Sequence, residues 1–136
     1  MSYHSVQNYI EILEHCFAVR TIYAYDFESD SYRFKKDKKF YFTDPIAYWA
    51  SLDLFQTPPP ESFESALAET IACEHLSRSY KRLGYFSNRN GEVDFVSGRD
   101  LAVEVKWAPL PHNLSKAYKD LVNPGKKVWF QGNFFM

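Results

Sequence analysis

The sequence is poor in cysteine, and its two cysteines, Cys16 and Cys73, both lie in apolar patterns typical of helices. Thiols in such positions are expected to be buried and free, because two isolated cysteines do not make the disulfide framework of a small secreted protein. No apolar run approaches the roughly 18 residues of a membrane span. The start, MSYHSVQNYIEILEH, is too polar for a signal peptide. These absences predict a cytoplasmic protein without a membrane partner.

The sequence also lacks an excess of charge and the common nucleotide-binding motifs. Its 16 basic and 17 acidic residues give a net charge of −1, so the chain as a whole has no electrostatic footprint for nucleic acid. Neither GxxxxGK[ST] nor GxGxxG occurs, and we therefore expect no nucleotide cofactor in this chain. Aromatic residues are abundant at 18%, which predicts bulky cores or an exposed docking surface.

Residues 1–57 form the first of two predicted units. The spacing of apolar residues predicts a helix over 5–17, and β-branched and aromatic residues predict a strand over 19–25. A polar loop over 26–39 ends in KKDKK, KFYFT predicts a second strand, and Asp44-Pro45 begins a linking helix. One helix followed by two strands around a basic loop resembles the last part of a winged helix.

The basic loop of this first unit permits two interpretations. Lysines in a polar loop are usually solvated and have no partner. In a winged helix, however, the same loop is the wing, and a few lysines there add salt-dependent affinity for DNA phosphates. The residues concerned are Lys35, Lys36, Lys38 and Lys39.

Residues 58–136 form the second predicted unit, because the three prolines at 58–60 cannot continue a helix. A long helix over 61–83 carries an apolar stripe that contains Glu69, and a buried carboxylate is costly unless it is paired or holds a metal. Glu74, on the opposite side, is the alternative helical acid. Three strands, a helix and a strand KKVWFQ follow. The predicted class is α/β (α+β), an αβββαβ mixed sheet flanked by helices.

The hairpin GEVDFVSGRDLAVEVKW, residues 91–107, contains the residues best suited to chemistry. Glu104 and Lys106 point the same way, because residues two apart on a strand share a face. A two-residue loop would pair Asp94 with residue 103 and put the two acids on opposite faces. A three-residue loop, Gly98 to Asp100, would pair residue 94 with 104 and put both acids on one face. The sequence leaves both registers open.

Two adjacent carboxylates repel each other unless a hard cation binds between them. Asp94, Glu104 and the carbonyl of Val105 would offer Mg²⁺ or Mn²⁺ the oxygen ligands that these ions prefer. Lys106 could orient a water molecule or stabilise the charge of a reacting phosphate. This set of residues predicts metal-assisted hydrolysis of phosphodiester bonds.

An Asp, nine residues and then Glu-x-Lys, after a helical Glu, resemble the PD-(D/E)xK nuclease superfamily, which has a restriction-endonuclease-like fold. The pieces SVQNYIEILEHCF, KKFYFTDPIAYW, LAETIACEHL, GEVDFV and VEVKW span almost the full chain. In this order they resemble the C-terminal domain, of unassigned function, that follows the AAA+ ATPase domain in a family of archaeal and bacterial ATPases. Val93 stands where many nucleases of the superfamily have proline.

The resemblance implies a role for each of four residues. Asp94 and Glu104 correspond to the ligands of Mg²⁺, Glu69 to a helical acid that assists through water, and Lys106 to the catalytic lysine. It also implies an upstream ATPase domain as a partner and DNA as a possible substrate.

Two non-enzymatic interpretations compete with this one. Asp94, Glu104 and Lys106 are compatible with a solvated strand face that carries a Glu–Lys pair. Alternatively, the nuclease fold persists as an inactive module that docks nucleic acid or protein and regulates the ATPase. The four histidines show no metal-ligand spacing, and Phe134-Phe135 is compatible with a core or with an interface, including that of a homo-oligomer.

Overall fold

The computed structural model describes residues 2–107 and 114–121, and within them the chain forms four helices and five strands. Their bounds in chain order are α1 (Tyr3–His15), β1 (Val19–Asp26), β2 (Ser31–Phe42), α2 (Pro45–Leu54), α3 (Phe63–Ser79), β3 (Gly84–Asn88), β4 (Gly91–Ser97), β5 (Leu101–Val103) and α4 (Lys116–Leu121). The structure is α+β with a mixed sheet, which confirms the predicted class at that level. None of the described helices is long and apolar enough to cross a membrane.

The five strands form one sheet in the order β2-β1-β3-β4-β5. The neighbours pair antiparallel except β1 and β3, which pair parallel at Tyr23–Gly84 and Ala24–Tyr85. The chain between these two strands runs through α2 and α3, as a parallel connection requires a crossover. Strands from both sides of the predicted boundary between residues 57 and 58 therefore share one sheet.

Each face of the sheet carries a separate buried cluster. On the α3 face, Ala72, Cys73 and Leu76 of the helix pack against strand residues that include Ile22 and Phe95. This arrangement confirms the apolar stripe that helical spacing predicts for this segment. On the other side, the α4 face, buried residues of α4 pack against residues of β1 and β4: Ala117, Tyr118, Tyr25, Val93 and Val96.

The predicted polar loop over 26–39 is wrong, because β2 already begins at Ser31. Asp26 makes the reversal short: its carboxylate accepts hydrogen bonds from the backbone N–H of Glu28 and the hydroxyl of Ser29, and it pairs with Arg33. The strand then carries the lysines, and its pairing with β1 is interrupted between Arg33 and Lys38. Because this strand is highly charged, its hydrophobic pattern did not predict a strand.

Helix α1 differs from its prediction at both ends and in its burial. Ser2 is the N-cap, since its side chain accepts a hydrogen bond from the backbone N–H of Ser5. The helix has no buried residues, and its apolar stripe, including Tyr9 and Leu13, remains exposed. Cys16, which follows the helix, is also exposed, so its predicted burial is wrong, whereas Cys73 is buried as expected.

Several predicted features lie outside the described residues. They are the loop prolines, one histidine, the first residues of the last predicted helix, the last predicted strand and the aromatic end of the chain: Pro109, Pro111, His112, Asn113, Lys126, Lys127, Trp129 and Phe134-Phe135.

Candidate functional site

The β4–β5 hairpin has the three-residue loop. Phe95 lies opposite Val103, Val96 opposite Ala102 and Ser97 opposite Leu101, so residues 98–100 form the loop. The backbone N–H of Asp100 donates to the carbonyl of Ser97 over 3.1 Å and closes it. Continued by one step, this register sets residue 94 across from residue 104. Of the two registers that the sequence left open, the structure therefore has the one that sets residue 94 opposite residue 104.

Gly98 makes this loop possible because its φ is +53°, a left-handed conformation that strains β-branched residues. The nearest atom to a Cβ added there would be the Tyr25 hydroxyl oxygen, at 3.8 Å. A side chain therefore has room at this position, and a substitution loses stability because of the backbone conformation. We expect Gly98→Val to lower the free energy of unfolding by about 1–2 kcal/mol, and Gly98→Asn by roughly half of that or less. Thermal denaturation of the two variants checks this, and equal losses would contradict it.

A β-bulge in β4 changes the direction of the Asp94 side chain. Against β3, the pairing is Gly84 with Val96 and then Phe86 with Val93, with a shift of register between them. The extra residue on β4 lets Val93 and Val96 both pack on the α4 face, while Phe95 packs on the α3 face. Asp94 lies within this bulge, and bulges commonly re-aim a side chain beside a functional site.

The Asp94 carboxylate contacts the backbone of the Glu-x-Lys segment and a lysine of β2. Its Oδ2 accepts a hydrogen bond from the backbone N–H of Val105 over 2.7 Å, and its Oδ1 lies 4.0 Å from the Nζ of Lys39. Lys39 also pairs with Glu92. Of the four lysines predicted to contact DNA, Lys39 thus lies inside the fold, whereas Lys35 and Lys36 are exposed and Lys38 lies over the Tyr23 ring.

Glu69 lies close enough to Asp94 for its charge to act on that carboxyl group. Its carboxylate accepts a hydrogen bond from the hydroxyl of Tyr41 over 2.9 Å, and burial together with the charge of Glu69 raises the pKa of Tyr41. Glu74, the alternative helical acid, instead pairs with Arg78 at 3.1 Å and with Arg20 at 3.9 Å. Of the two helical acids, Glu69 is therefore the one that lies in the region of Asp94.

Burial raises the pKa of Asp94 from its usual 3.8 to about 6. The N–H of Val105 acts against this rise, the negative charge of Glu69 adds to it, and the ammonium groups of Lys39 and Lys106 lower it. A nearby positive charge stabilises the ionised form of such a carboxyl group. Lys39 supplies part of that charge.

Glu104 makes a second set of contacts, on the α4 face. Its side chain is only 2% exposed, and its Oε1 lies 2.6 Å from the Nζ of Lys106. Both carboxylate oxygens accept the backbone N–H of Ser115 at 3.1 Å, and the Ser115 hydroxyl donates to Oε2 over 3.0 Å. Ser115 in turn accepts the backbone N–H of Tyr118. Sequence reasoning missed Ser115, although a serine before a helix is a signal for a cap.

The structure therefore divides the four predicted residues into two groups. Glu69 and Asp94 belong to the α3 face, while Glu104 and Lys106 form a pair at the start of α4. The prediction that a three-residue loop puts Asp94 and Glu104 on one face is therefore wrong, because the bulge in β4 turns Asp94 to the other side of the sheet. The hydrogen bond from Val105 to Asp94 joins the groups, because Val105 stands between Glu104 and Lys106. Across residues 2–107 and 114–121, no cluster of three histidine, cysteine or acidic side chains is arranged to hold a metal ion.

The chemistry of the donors nevertheless fits a hard divalent cation. Asp94 is a partly buried carboxylate with a raised pKa and a second acid near it, and oxygen ligands of this type are those that Mg²⁺ and Mn²⁺ take. Glu104 is held by Ser115 and Lys106, so it would have to exchange these contacts for an ion. Glu104 also lies on the α4 face, so its side chain would have to turn toward Asp94 to share an ion with it.

No protein-family model, curated protein or solved structure matches the chain. The contacts of the described side chains are therefore the basis for a functional proposal.

Proposed function

We propose that the chain is a nuclease-like module of the PD-(D/E)xK type that hydrolyses phosphodiester bonds of nucleic acid with Mg²⁺ or Mn²⁺. The observation that carries the proposal is the hairpin register together with the hydrogen bond from Val105 to Asp94. Together they bring an acid of β4 to the backbone of a Glu-x-Lys segment.

Each residue of the set has a role that its surroundings support. Asp94, Glu104 and the carbonyl of Val105 would hold the ion, which when bound supplies an activated water and neutralises charge on the phosphate. Glu69, half-buried and near Asp94, would orient a water molecule. Lys106 has a side chain that is 38% exposed, so its ammonium group can reach a phosphate oxygen while its stem remains packed.

Exposed lysines of β2 support binding to nucleic acid. Lys35 and Lys36 are exposed on this strand, so their ammonium groups can contact phosphates. Such contacts add affinity that falls as salt rises. The exposed apolar stripe of α1 supports the proposal that the module packs against an ATPase domain, as the resemblance implies.

A cleavage assay tests this proposal. Single- and double-stranded DNA and RNA are incubated with the protein and MgCl₂ or MnCl₂, with EDTA as the blank. We expect cleavage by the wild type and none above the blank for Asp94→Asn. The control Glu74→Gln, which alters a helical acid paired with arginines, should cleave normally. Failure to cleave any of these nucleic acids would contradict the proposal.

A second candidate function is favoured by the contacts of Glu104. Its oxygens already bind Ser115 and Lys106, which is how an acid is used when it stabilises a fold. In that case the module would bind nucleic acid or a partner and regulate the ATPase without cleavage. Binding of nucleic acid that persists unchanged in Glu104→Gln, together with no cleavage by the wild type, would favour this candidate.

A further inference from the structure

A cleft of about 570 Å³ lies beside the first half of β1, and its lining does not include Glu69, Asp94 or Glu104. It exists because β1 pairs with β3 only from Tyr23 onward, so the earlier residues of β1 instead border the end of α3 and the chain that leads to β3. The cleft is lined by residues 20–23 of β1, by residues of β2, and by residues 80–83. The Tyr32 hydroxyl donates to the carbonyl of Arg82 over 3.1 Å and fixes this last segment against β2.

Aromatic side chains form part of the lining. Phe34 is 63% exposed, and its ring meets that of Tyr23 edge to face, with centroids 4.8 Å apart. Tyr32 and Tyr80 also line the cleft. An exposed phenylalanine that is held in place by a second ring offers a flat apolar surface to a planar ligand.

The charged residues that line the cleft are all basic. They are Arg20, Lys81 and Arg82, and no aspartate or glutamate is among the lining residues. Arg20 pairs with Glu74 only at 3.9 Å, and among the described residues Lys81 and Arg82 make no ion pair. Because the net charge of the chain is −1, this local positive charge is not a property of the whole surface.

Thr21 adds a polar group without a partner to the wall of the cleft. Its hydroxyl oxygen is buried and has no hydrogen-bond partner within residues 2–107 and 114–121, and Thr21 lines the same cleft. A buried polar atom without a partner is rare and calls for an explanation such as a ligand or water. Because this oxygen is closed to solvent, a ligand in the cleft would reach it only after a small shift of the Thr21 side chain.

We propose that this cleft binds one nucleotide unit of a single-stranded nucleic acid. The base would stack on Phe34, while Arg82, Lys81 and the Thr21 hydroxyl would contact the phosphate. An unpaired base is required, since a base within a duplex cannot reach an aromatic face. This inference rests on the proposed function and deepens it, because it names the form of strand that the module takes. A free nucleotide shares the same chemistry.

Fluorescence anisotropy with a short fluorescein-labelled oligothymidylate tests the inference, in EDTA so that no cleavage occurs. We expect Phe34→Ala to weaken binding about tenfold, which corresponds to about 1.4 kcal/mol for one stacked base. Arg82→Ala should weaken binding and lower the slope of log K against log salt by about 0.7, one phosphate contact on a single strand. The controls Phe55→Ala and Arg89→Ala remove an exposed ring and an exposed arginine outside the cleft.

Two competitors identify the ligand. Thymidine monophosphate is added at the same concentration of nucleotide units as the oligomer. If it displaces the oligomer, the cleft binds a free nucleotide, and the proposal that it binds a single strand is contradicted. An abasic oligomer should compete poorly, since it cannot stack. Circular dichroism confirms that the variants are folded, as both substituted side chains are exposed.

Unchanged binding in Phe34→Ala and Arg82→Ala would overturn the inference, and so would absence of binding by the wild type. These outcomes are separate from the cleavage assay. If the cleft substitutions change neither cleavage nor binding, the proposal that the cleft binds a nucleotide unit is contradicted, but the proposed nuclease activity is not. If binding depends on the cleft and no metal-dependent cleavage occurs, only the proposed nuclease activity is contradicted.

Discussion

Replacing Glu104 with alanine is expected to lower the free energy of unfolding by about 2–3 kcal/mol. The substitution removes the acceptor of the Ser115 N–H and hydroxyl and the partner of Lys106. Ser115 is the residue that ties the start of α4 to the sheet, so the loss spreads to the α4 face. Lys106 is 38% exposed and regains water, which keeps the loss below that of a fully buried charge.

Urea denaturation of the wild type and Glu104→Ala measures this loss. Glu61→Ala is a suitable control, because Glu61 is exposed and surface substitutions usually stay within about 0.5 kcal/mol. Ser115→Ala should reproduce part of the loss, since it removes the hydroxyl but keeps the backbone N–H. If Glu104→Ala were as stable as Glu61→Ala, the buried contacts of Glu104 would not hold α4 in place.

Replacing Asp94 with asparagine is expected to have the opposite effect and to raise stability at neutral pH by about 2–3 kcal/mol. The pKa of Asp94 is about 6 in the folded protein, against the usual 3.8, so the folded state binds the proton more tightly. Its contribution to stability is present below pH 3.8 and is lost as the pH rises to about 6. Asparagine stays neutral and can still accept the N–H of Val105.

The melting temperature of both proteins, measured in EDTA between pH 4 and 8, checks this expectation. The wild type should lose stability relative to Asp94→Asn across the interval from about pH 4 to 6, and the difference should then remain constant. The variant should also show no metal-dependent cleavage. A variant that is both more stable and inactive fits an acid retained for chemistry, whereas a less stable variant at pH 8 would contradict the raised pKa.

Local patterns in the sequence predicted much of what surrounds Asp94. Helical spacing predicted one stripe of α3 that contains Glu69, Ala72, Cys73 and Leu76. This prediction is possible from the sequence because the helical repeat relates only residues three or four positions apart. The alternation of LAVEVKW likewise predicted that Glu104 and Lys106 point the same way, and the two side chains form an ion pair. The loop length was left open, since Gly98 permits either hairpin.

The contacts of the two strand acids were not predictable from these patterns. A bulge at Asp94 depends on the pairing of β4 with β3, which no local period records. Lys39 belongs to β2, and it reaches Asp94 only because β1 and β3 pair across more than fifty residues of chain. Ser115 contacts Glu104 through the docking of α4. These are long-range contacts, set by packing and not by spacing.

The most direct test of the central claim is titration of the protein with MnCl₂ by isothermal calorimetry. If Asp94 and Glu104 together hold a divalent cation, the wild type should bind one Mn²⁺ per chain. Asp94→Asn and Glu104→Gln should each lose that binding, and Glu74→Gln should keep it. Absence of binding by the wild type, or binding that both substitutions leave unchanged, would contradict the claim.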